Sequence, residues 1–506
     1  MSFKPSKYQT AVYQHVTDGT GNAVIDAVAG SGKSTTIVEA LKLIPKNLKV
    51  LFLAFNKAIV EELKIKIGQL DNVEIKTLHS LGMSAITRAF KGVRVDGAKY
   101  RTYVNNAIKY GGIKPIEKLE WEELGNYKLN VLALVDLYRV NLCEGAEHLL
   151  EVGRKHMIFP MDNEAEMAMR VVEWGKTELN TIDFTDMIYF PNVMKLKMPQ
   201  FDFTFIDECQ DLNTAQREMF LQCIGKYGQN NWSNPDGRFV AVGDPRQAIY
   251  GFAGADVESF NTLKNLPNTI SLPLSVCYRC DETIILKAKE IVPQIEAKEG
   301  AELGTVEDCK VEDIQDGDMV LCRVTAPLVA LCMHYIGNSI KAYVKGRDIG
   351  QNLINMINKT KCRYLNDTLS KMDRDLSKVA DKIVKRTGCT LSEAKEDSQF
   401  TSMEDKIQAI KVIAKDLKTT DAVVNRITTI FKDDQKDGIC LSTIHKAKGL
   451  ESNRVFIIRP DKLFLPHCMR VAWMAEQEYN LAYVAYTRAK KYLGFVQDFQ
   501  ADQMQD

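Results

Sequence analysis

The chain has 506 residues, too many for one ordinary core, so roughly three or four modules are expected. Hydrophobic residues make up 45% and charged residues 26%, an ordinary balance for a soluble globular protein. Lys+Arg and Asp+Glu both number 66, so net charge gives no sign of nucleic-acid binding and leaves only a local basic groove to supply it.

The twelve cysteines follow no repeating spacing, and the single CxxC, Cys277-Tyr278-Arg279-Cys280, has no second pair to complete four zinc ligands. Reduced thiols are expected. The N-terminus lacks an apolar signal core, and no run approaches the roughly 18 apolar residues of a membrane span. The expectation is a soluble, cytoplasmic protein without a membrane partner.

In chain order, Asn22–Ala27 and Val50–Ala54 are short apolar runs, each followed by a helical pattern. Residues 86–180 read as mostly helical, rich in Leu, Glu and Lys. Runs at 201–206 and 239–242 end in acidic or Gly-Asp sequences, as strands do when ligands gather at their C-termini. A second α/β unit has strand candidates at 318–323, 341–344, 438–442 and 454–459, interrupted by a charged helical stretch at 354–435.

The first chemistry-bearing segment is Ala27-Val28-Ala29-Gly30-Ser31-Gly32-Lys33-Ser34. It departs from GxxxxGK[ST] at Ala27, but Gly30 and Gly32 still allow backbone N–H groups to turn inward around phosphate. Lys33 would reach the β and γ phosphates and Ser34 would ligate Mg²⁺. Later stands Phe205-Ile206-Asp207-Glu208-Cys209-Gln210-Asp211. Asp207, ending an apolar strand, suits a hard Mg²⁺ ion, and Glu208 beside it is placed to orient or deprotonate an attacking water. A buried strand ending in two carboxylates without a cation would be uncommon. Loop and strand in this order predict nucleotide hydrolysis.

Further blocks stand in sequence. They are Pro5-Ser6-Lys7-Tyr8-Gln9, Phe55-Asn56-Lys57-Ala58, Thr77-Leu78-His79-Ser80 and Asp183-Phe184-Thr185-Asp186. After them come the run from Val242-Gly243-Asp244 through Gln247, Tyr250 and Phe252 to Ala255, and Val276-Cys277-Tyr278-Arg279. The last two are Ser442-Thr443-Ile444-His445-Lys446-Ala447-Lys448-Gly449-Leu450-Glu451 and Tyr483-Val484-Ala485-Tyr486-Thr487-Arg488. The series resembles the superfamily 1 DNA helicases of the UvrD/Rep/PcrA type from about residue 5 to residue 497, and the AxxGxGK[ST] loop is that family's own variant.

The resemblance implies an α/β fold with two RecA-like P-loop NTPase cores and two mostly helical inserted subdomains. The first core would be 1–85 and 181–273 and the second 274–353 and 436–506, with accessory insertions at 86–180 and 354–435. It implies Mg-ATP as substrate and cofactor, held by Gln9, Ala29, Gly30, Ser31, Gly32, Lys33, Ser34, Thr35, Tyr278 and Glu451. Lys33, Asp207, Glu208, Gln247, Arg279 and Arg488 would carry hydrolysis, with Ser34 and Asp207 on the metal. Gln247 would sense the γ-phosphate, Tyr278 stack on adenine, Glu451 bond the ribose, and Arg279 and Arg488 meet the γ-phosphate. Single-stranded DNA would lie on Phe55, Asn56, Lys57, Thr77, His79, Tyr250, Phe252, Thr443 and His445, aromatic faces stacking bases without regard to sequence.

The implied activity is an ATP-dependent helicase or translocase moving 3′→5′ on single-stranded DNA and opening tailed duplex, with replication or repair proteins as partners. Two rivals remain at this point. One is a DNA-dependent ATPase that strips proteins with little unwinding, and the other a non-catalytic nucleotide-gated clamp, which the intact catalytic set argues against. Departures from the family pattern are Thr35, Phe55, Phe252-Ala253, Ser452 and the 477–480 segment. They bear on DNA contacts and coupling and leave the catalytic residues untouched.

Overall fold

In a computed structural model of the protein, the described residues are 4–68, 70–110, 121–156, 158, 163–224, 237–249, 258–433, 435, 437–497 and 499. Tyr250 and Phe252 lie outside them. The chain divides into two units, one of residues 1–28 and 32–275 and the other of 29–31 and 276–506.

The first unit begins with α1 (Lys7–Asp18), whose N-terminus is closed by a capping box between Ser6 and Gln9. Then follow β1 (Asn22–Ala27), α2 (Lys33–Lys42), β2 (Val50–Ala54), α3 (Lys57–Ile67), β3 (Val73–Thr77) and α4 (Leu78–Ala89). The short strands β4 (Arg94–Val95) and β5 (Thr181–Ile182) pair in parallel. They bracket α5 (Lys99–Lys109), α6 (Trp121–Val140), α7 (Ala146–Lys155) and α8 (Glu164–Thr177). The unit closes with α9 (Asp186–Val193), β6 (Phe203–Ile206), α10 (Thr214–Leu221), β7 (Arg238–Gly243), α11 (Ser259–Lys264) and β8 (Thr269–Leu274).

The sheet order is β3-β2-β6-β7-β1-β8 and every pairing is parallel. Parallel strands are covered by helices on both faces, which is why they read as unbroken apolar runs. In β2, Phe52 packs with Ile37 and Leu63 in one core, while Leu51 and Leu53 pack with Leu81 and Phe220 in the other. The sequence reading missed β3 and β8, the two edge strands. Each is only partly buried, and Pro273 in β8 is tolerated because an edge strand leaves one side of its backbone unpaired.

The helices α5, α6 and α8 are fastened to α9 by a buried ionic cluster. Asp186, fully buried, accepts from Lys99 Nζ at 2.8 Å, Tyr100 OH at 2.5 Å and Arg139 Nη1 at 2.9 Å. Arg139, 1% exposed, also reaches Asp183 at 2.7 Å and Asp136 at 2.6 Å. The two aspartates of the Asp183–Asp186 block therefore anchor helices, and Phe184 between them is exposed.

The second unit starts with β9 (Val276–Cys277), α12 (Glu282–Lys289) and β10 (Glu296–Ala297), the strands pairing in parallel. Its main sheet has the order β11-β16-β15-β12-β14-β13, again all parallel. These strands are β11 (Thr305–Cys309), β12 (Met319–Cys322), β13 (Ala342–Val344), β14 (Ile439–Thr443), β15 (Ser452–Ile458) and β16 (Ala489–Val496). Helix α13 (Ala326–Gly337) joins β12 to β13. Between β13 and β14 come α14 (Arg347–Thr360), α15 (Leu365–Thr387), α16 (Leu391–Lys395), α17 (Ser398–Ala414) and α18 (Thr420–Ile430). Helix α19 (Ala472–Tyr486) precedes β16. Asp405 on α17 accepts from the backbone N–H groups of Thr325 and Ala326, capping α13 and tying the helical stretch to the sheet. Both units are parallel-sheet α/β cores of the RecA-like kind, each carrying a helical stretch.

Candidate active site

Strands β6, β7 and β1 are neighbours running the same way, so the loops leaving their C-terminal ends meet at one edge of the sheet. The loop after β1 turns through Gly30 (φ 66°) and Gly32 (φ 76°), left-handed conformations that glycine adopts without strain. Gly32 is the N-cap of α2 and offers no side-chain cap to the first-turn N–H groups. Ser31 keeps its hydroxyl buried without a hydrogen-bond partner. An uncapped helix start and an orphaned buried hydroxyl suit a phosphate-bearing ligand. Ser34 is partly exposed on the first turn of α2, and Thr35 is exposed.

Lys33 Nζ donates to Glu208 Oε1 at 3.0 Å. Burial works against the lysine charge, but the Glu208, Asp207 and Asp244 carboxylates outweigh it and lift the pKa above the ordinary lysine value. Asp207, which follows β6, is 6% exposed. Burial and then the Glu208 charge push its carboxyl up to about 6, with Lys33 pulling the other way. Glu208 has φ 52°, a left-handed backbone that costs a non-glycine residue about 1–3 kcal/mol. Its Lys33 and Gln210 contacts offset that cost. Asp244, fully buried after β7, is also raised, mainly by burial. Its Oδ2 accepts from Gln247 Nε2 at 2.7 Å.

Among the described residues, no group of three or more His, Cys, Asp or Glu side chains could hold a metal ion. The candidate oxygen donors are Ser34 and Asp207, a hard pair that suits Mg²⁺ when water and phosphate complete the shell. The sequence-selected Lys33, Asp207, Glu208 and Gln247 thus share one cluster around Asp244. Gln9 is 2% exposed, and its amide closes the α1 capping box and donates to Thr36 Oγ1 at 3.0 Å.

In the second unit, Arg279 Nε donates to Glu451 Oε2 at 2.6 Å and Nη1 to the Thr487 carbonyl at 3.2 Å. Lys490 meets the other Glu451 oxygen at 2.7 Å. Burial tends to raise the Glu451 pKa, but Lys490 and Arg279 outweigh it and the net shift is downward. Arg488 is 1% exposed and donates to the carbonyls of Val484 and Leu450 at 3.0 and 3.1 Å. Tyr278 is 40% exposed. The twelve cysteines are free, Cys277 and Cys280 among the buried ones.

Of the expected DNA contacts in the first unit, Phe55 is exposed and Asn56 caps α3 through Ile59 N–H, with Lys57 following in solvent. Thr77 caps α4, and His79 on its first turn is held below the usual imidazole range by burial. In the second unit Thr443 is 8% exposed at the end of β14. His445 beyond it is pushed down to about 3 by burial and by the Arg323 and Lys446 charges.

Sequence reasoning passed over Gln210 and Arg246. Gln210 joins Glu208 to the β7 loop, and Arg246 joins that loop to Asp26 of β1 at 2.6 and 3.2 Å. No spacing rule marks either one, because Asp244 reaches Gln210 and Asp26 reaches Arg246 only when β6, β7 and β1 align.

A glycine-turned phosphate loop and acidic strand ends on a parallel sheet define a P-loop α/β protein. Residues 8–268, more than half of the chain, match the UvrD/Rep helicase N-terminal domain, and residues 438–496 match the UvrD-like helicase C-terminal domain. The chain belongs to the UvrD/Rep helicase family, the UvrD/Rep/PcrA type of superfamily 1. It is 23% identical to F-box DNA helicase 1 of Gallus gallus, over 96% of this chain and 48% of that protein. To F-box DNA helicase protein 1 of Schizosaccharomyces pombe it is 24% identical, over 93% and 55%. To the ATP-dependent DNA helicase PcrA of Bacillus subtilis it is 23% identical, over 57% and 40%. The chain spans about half the length of the curated relatives it matches.

Proposed function

We propose that the protein is an ATP-dependent DNA helicase that moves 3′→5′ on single-stranded DNA and unwinds tailed duplex. The observation that carries this reading is the cluster of Lys33, Asp207, Glu208, Asp244 and Gln247 at three adjacent strand ends, in a chain of the UvrD/Rep family. Lys33 would leave Glu208 for the β and γ phosphates of ATP. Ser34 and Asp207 would hold Mg²⁺, which neutralises phosphate charge when bound. Glu208, released from Lys33 and still held by Gln210, would orient the attacking water. Gln247, Arg279 and Arg488 would act on the γ-phosphate, where fixed donors and cations stabilise developing charge. We assign the domains as the sequence suggests, with 86–180 and 354–435 as accessory subdomains on two cores. No helix among the described residues is long and apolar enough to cross a membrane, and the proposed site of action is intracellular DNA.

The test is ATP hydrolysis with and without single-stranded DNA, together with unwinding of 3′-tailed and 5′-tailed duplexes. DNA-stimulated hydrolysis with unwinding of the 3′-tailed substrate alone is the expected result. Unwinding of the 5′-tailed substrate alone would overturn the polarity. Streptavidin displacement without unwinding would replace the helicase reading with a translocase that strips proteins. Hydrolysis that ignores DNA would remove both.

A further inference from the structure

Gln210 belongs to the one-turn 3₁₀ helix Cys209–Asp211 that follows the acidic strand end, and it is 1% exposed. Both ends of its amide are used. Nε2 donates to Glu208 Oε2 at 2.5 Å and, at a longer 3.4 Å, to Asp211 Oδ2. Oε1 accepts from the backbone N–H of Asp244 at 3.0 Å. Glu208 is thereby held through both carboxylate oxygens, one by Lys33 and the other by Gln210. A primary amide offers a donor to a carboxylate and an acceptor to a backbone N–H at once, from two atoms held in one plane.

The loop on the acceptor side is shaped for this contact. A Cβ on Gly243 would stand 2.5 Å from Gln210 Oε1 and 2.8 Å from Cys209 Sγ, so only glycine lets β7 approach so closely. Beyond it, Asp244 accepts from Gln247 Nε2 at 2.7 Å and from Arg246 N–H at 3.1 Å. The Arg246 guanidinium then grips Asp26 on β1, just ahead of the phosphate loop. A continuous path of hydrogen bonds runs from Lys33 through Glu208, Gln210 and Asp244 to Gln247.

We propose that Gln210 is a positioning residue for hydrolysis, its amide fixing the Glu208 carboxylate and the Asp244–Gln247 turn in one mutual arrangement. The inference rests on the proposed roles of Glu208 and Gln247. A shift of the Asp244–Gln247 turn, which leads into the segment proposed to face DNA, reaches Glu208 through this amide. Gln210 is then part of how DNA accelerates hydrolysis.

The experiment uses the full chain and two variants. Gln210→Glu keeps the size and the acceptor but sets a carboxylate against Glu208, and Gln210→Ala removes both bonds. Steady-state ATP turnover is measured with and without oligo-dT, and binding stoichiometry with a fluorescent ATP analogue. Both variants should bind nucleotide at full stoichiometry, with the KM for ATP within about threefold of the parent. Their kcat should fall about 10–100-fold, and oligo-dT should no longer accelerate turnover. A structural defect would instead lower basal and stimulated rates in proportion, with matching loss of nucleotide sites, and that result would overturn the proposal. So would parental kcat and DNA stimulation in Gln210→Glu. Glu208→Gln is run alongside. If it loses turnover while Gln210→Glu behaves as the parent, this inference alone fails, whereas parental turnover in Glu208→Gln removes the Glu208 assignment beneath it.

Discussion

Asp207→Asn should make the nucleotide-free protein more stable while abolishing Mg²⁺-dependent hydrolysis. The carboxyl is buried, faces the Glu208 charge, and is raised from 3.8 to about 6 even with Lys33 close by. That difference corresponds to about 3 kcal/mol against the charged form in the folded chain. Below pH 3.8 the group is protonated in both folded and unfolded chains, so Asp and Asn should not differ there. Between 3.8 and about 6 the unfolded chain releases its proton first, and stability at this site falls as pH rises. Above about 6 the loss is complete, and the Asn protein should lead by up to about 3 kcal/mol. Asn can still accept the Glu208 N–H bond of 2.9 Å through its carbonyl, so the exchange removes charge more than it removes contact. Urea unfolding of both proteins at about pH 5 and about pH 7.5, without nucleotide or metal, measures the difference. Adding Mg²⁺ and a non-hydrolysable ATP analogue should stabilise the parent and affect Asp207→Asn much less. An Asn protein less stable than the parent at the higher pH, or an advantage that does not shrink at the lower one, would refute the reasoning.

Other outcomes follow from the same geometry. Asp186→Ala should cost the first unit about 3–5 kcal/mol, because Lys99 and Arg139 would be left buried without their shared carboxylate. Urea titration monitors this, and Asp186→Asn, which keeps one acceptor oxygen and so a partner for one of the two cations, should lose less. Arg488→Ala should lower both turnover and stability, since the Leu450 and Val484 carbonyls lose a buried donor. Arg488→Lys should preserve more of the fold than of the rate, with kcat down about a hundredfold, and a wild-type rate would exclude Arg488 from the chemistry. His445 is held neutral by burial and by the Arg323 and Lys446 charges, so its proposed contribution to DNA affinity should not change between about pH 6 and pH 8. His445→Ala should then weaken binding without altering the salt slope, whereas a reduced slope would mean the imidazole is charged against phosphate.

The residues proposed to carry the chemistry could be selected from the chain itself because their signals are local. Gly30 and Gly32 flank a serine and precede Lys33 at fixed spacing, and Asp207-Glu208 end a run of apolar residues. The central strands of the first sheet could be placed to within a residue or two because burial on both faces makes them continuously apolar, as at β2 and β6, whereas β16, interior to the second sheet but carrying two lysines near its start, was missed. The edge strands β3 and β8 of that first sheet escaped, because one open side removes the demand for an apolar run, while the edge strand β13 of the second sheet, buried along its length, was found. The pairing of β1, β6 and β7, far apart in the chain, was decided by tertiary structure alone, and so was everything that depends on it. Lys33 meets Glu208, Gln210 meets Asp244, and Arg246 meets Asp26 across those strands. The raised carboxyl of Asp207 has the same origin, since a carboxylate's environment is set by what packs around it. Sequence specified which groups could do the chemistry. Parallel strand packing decided which of them touch, because hydrogen bonds and charge interactions act over a few ångströms of space and take no account of distance along the chain.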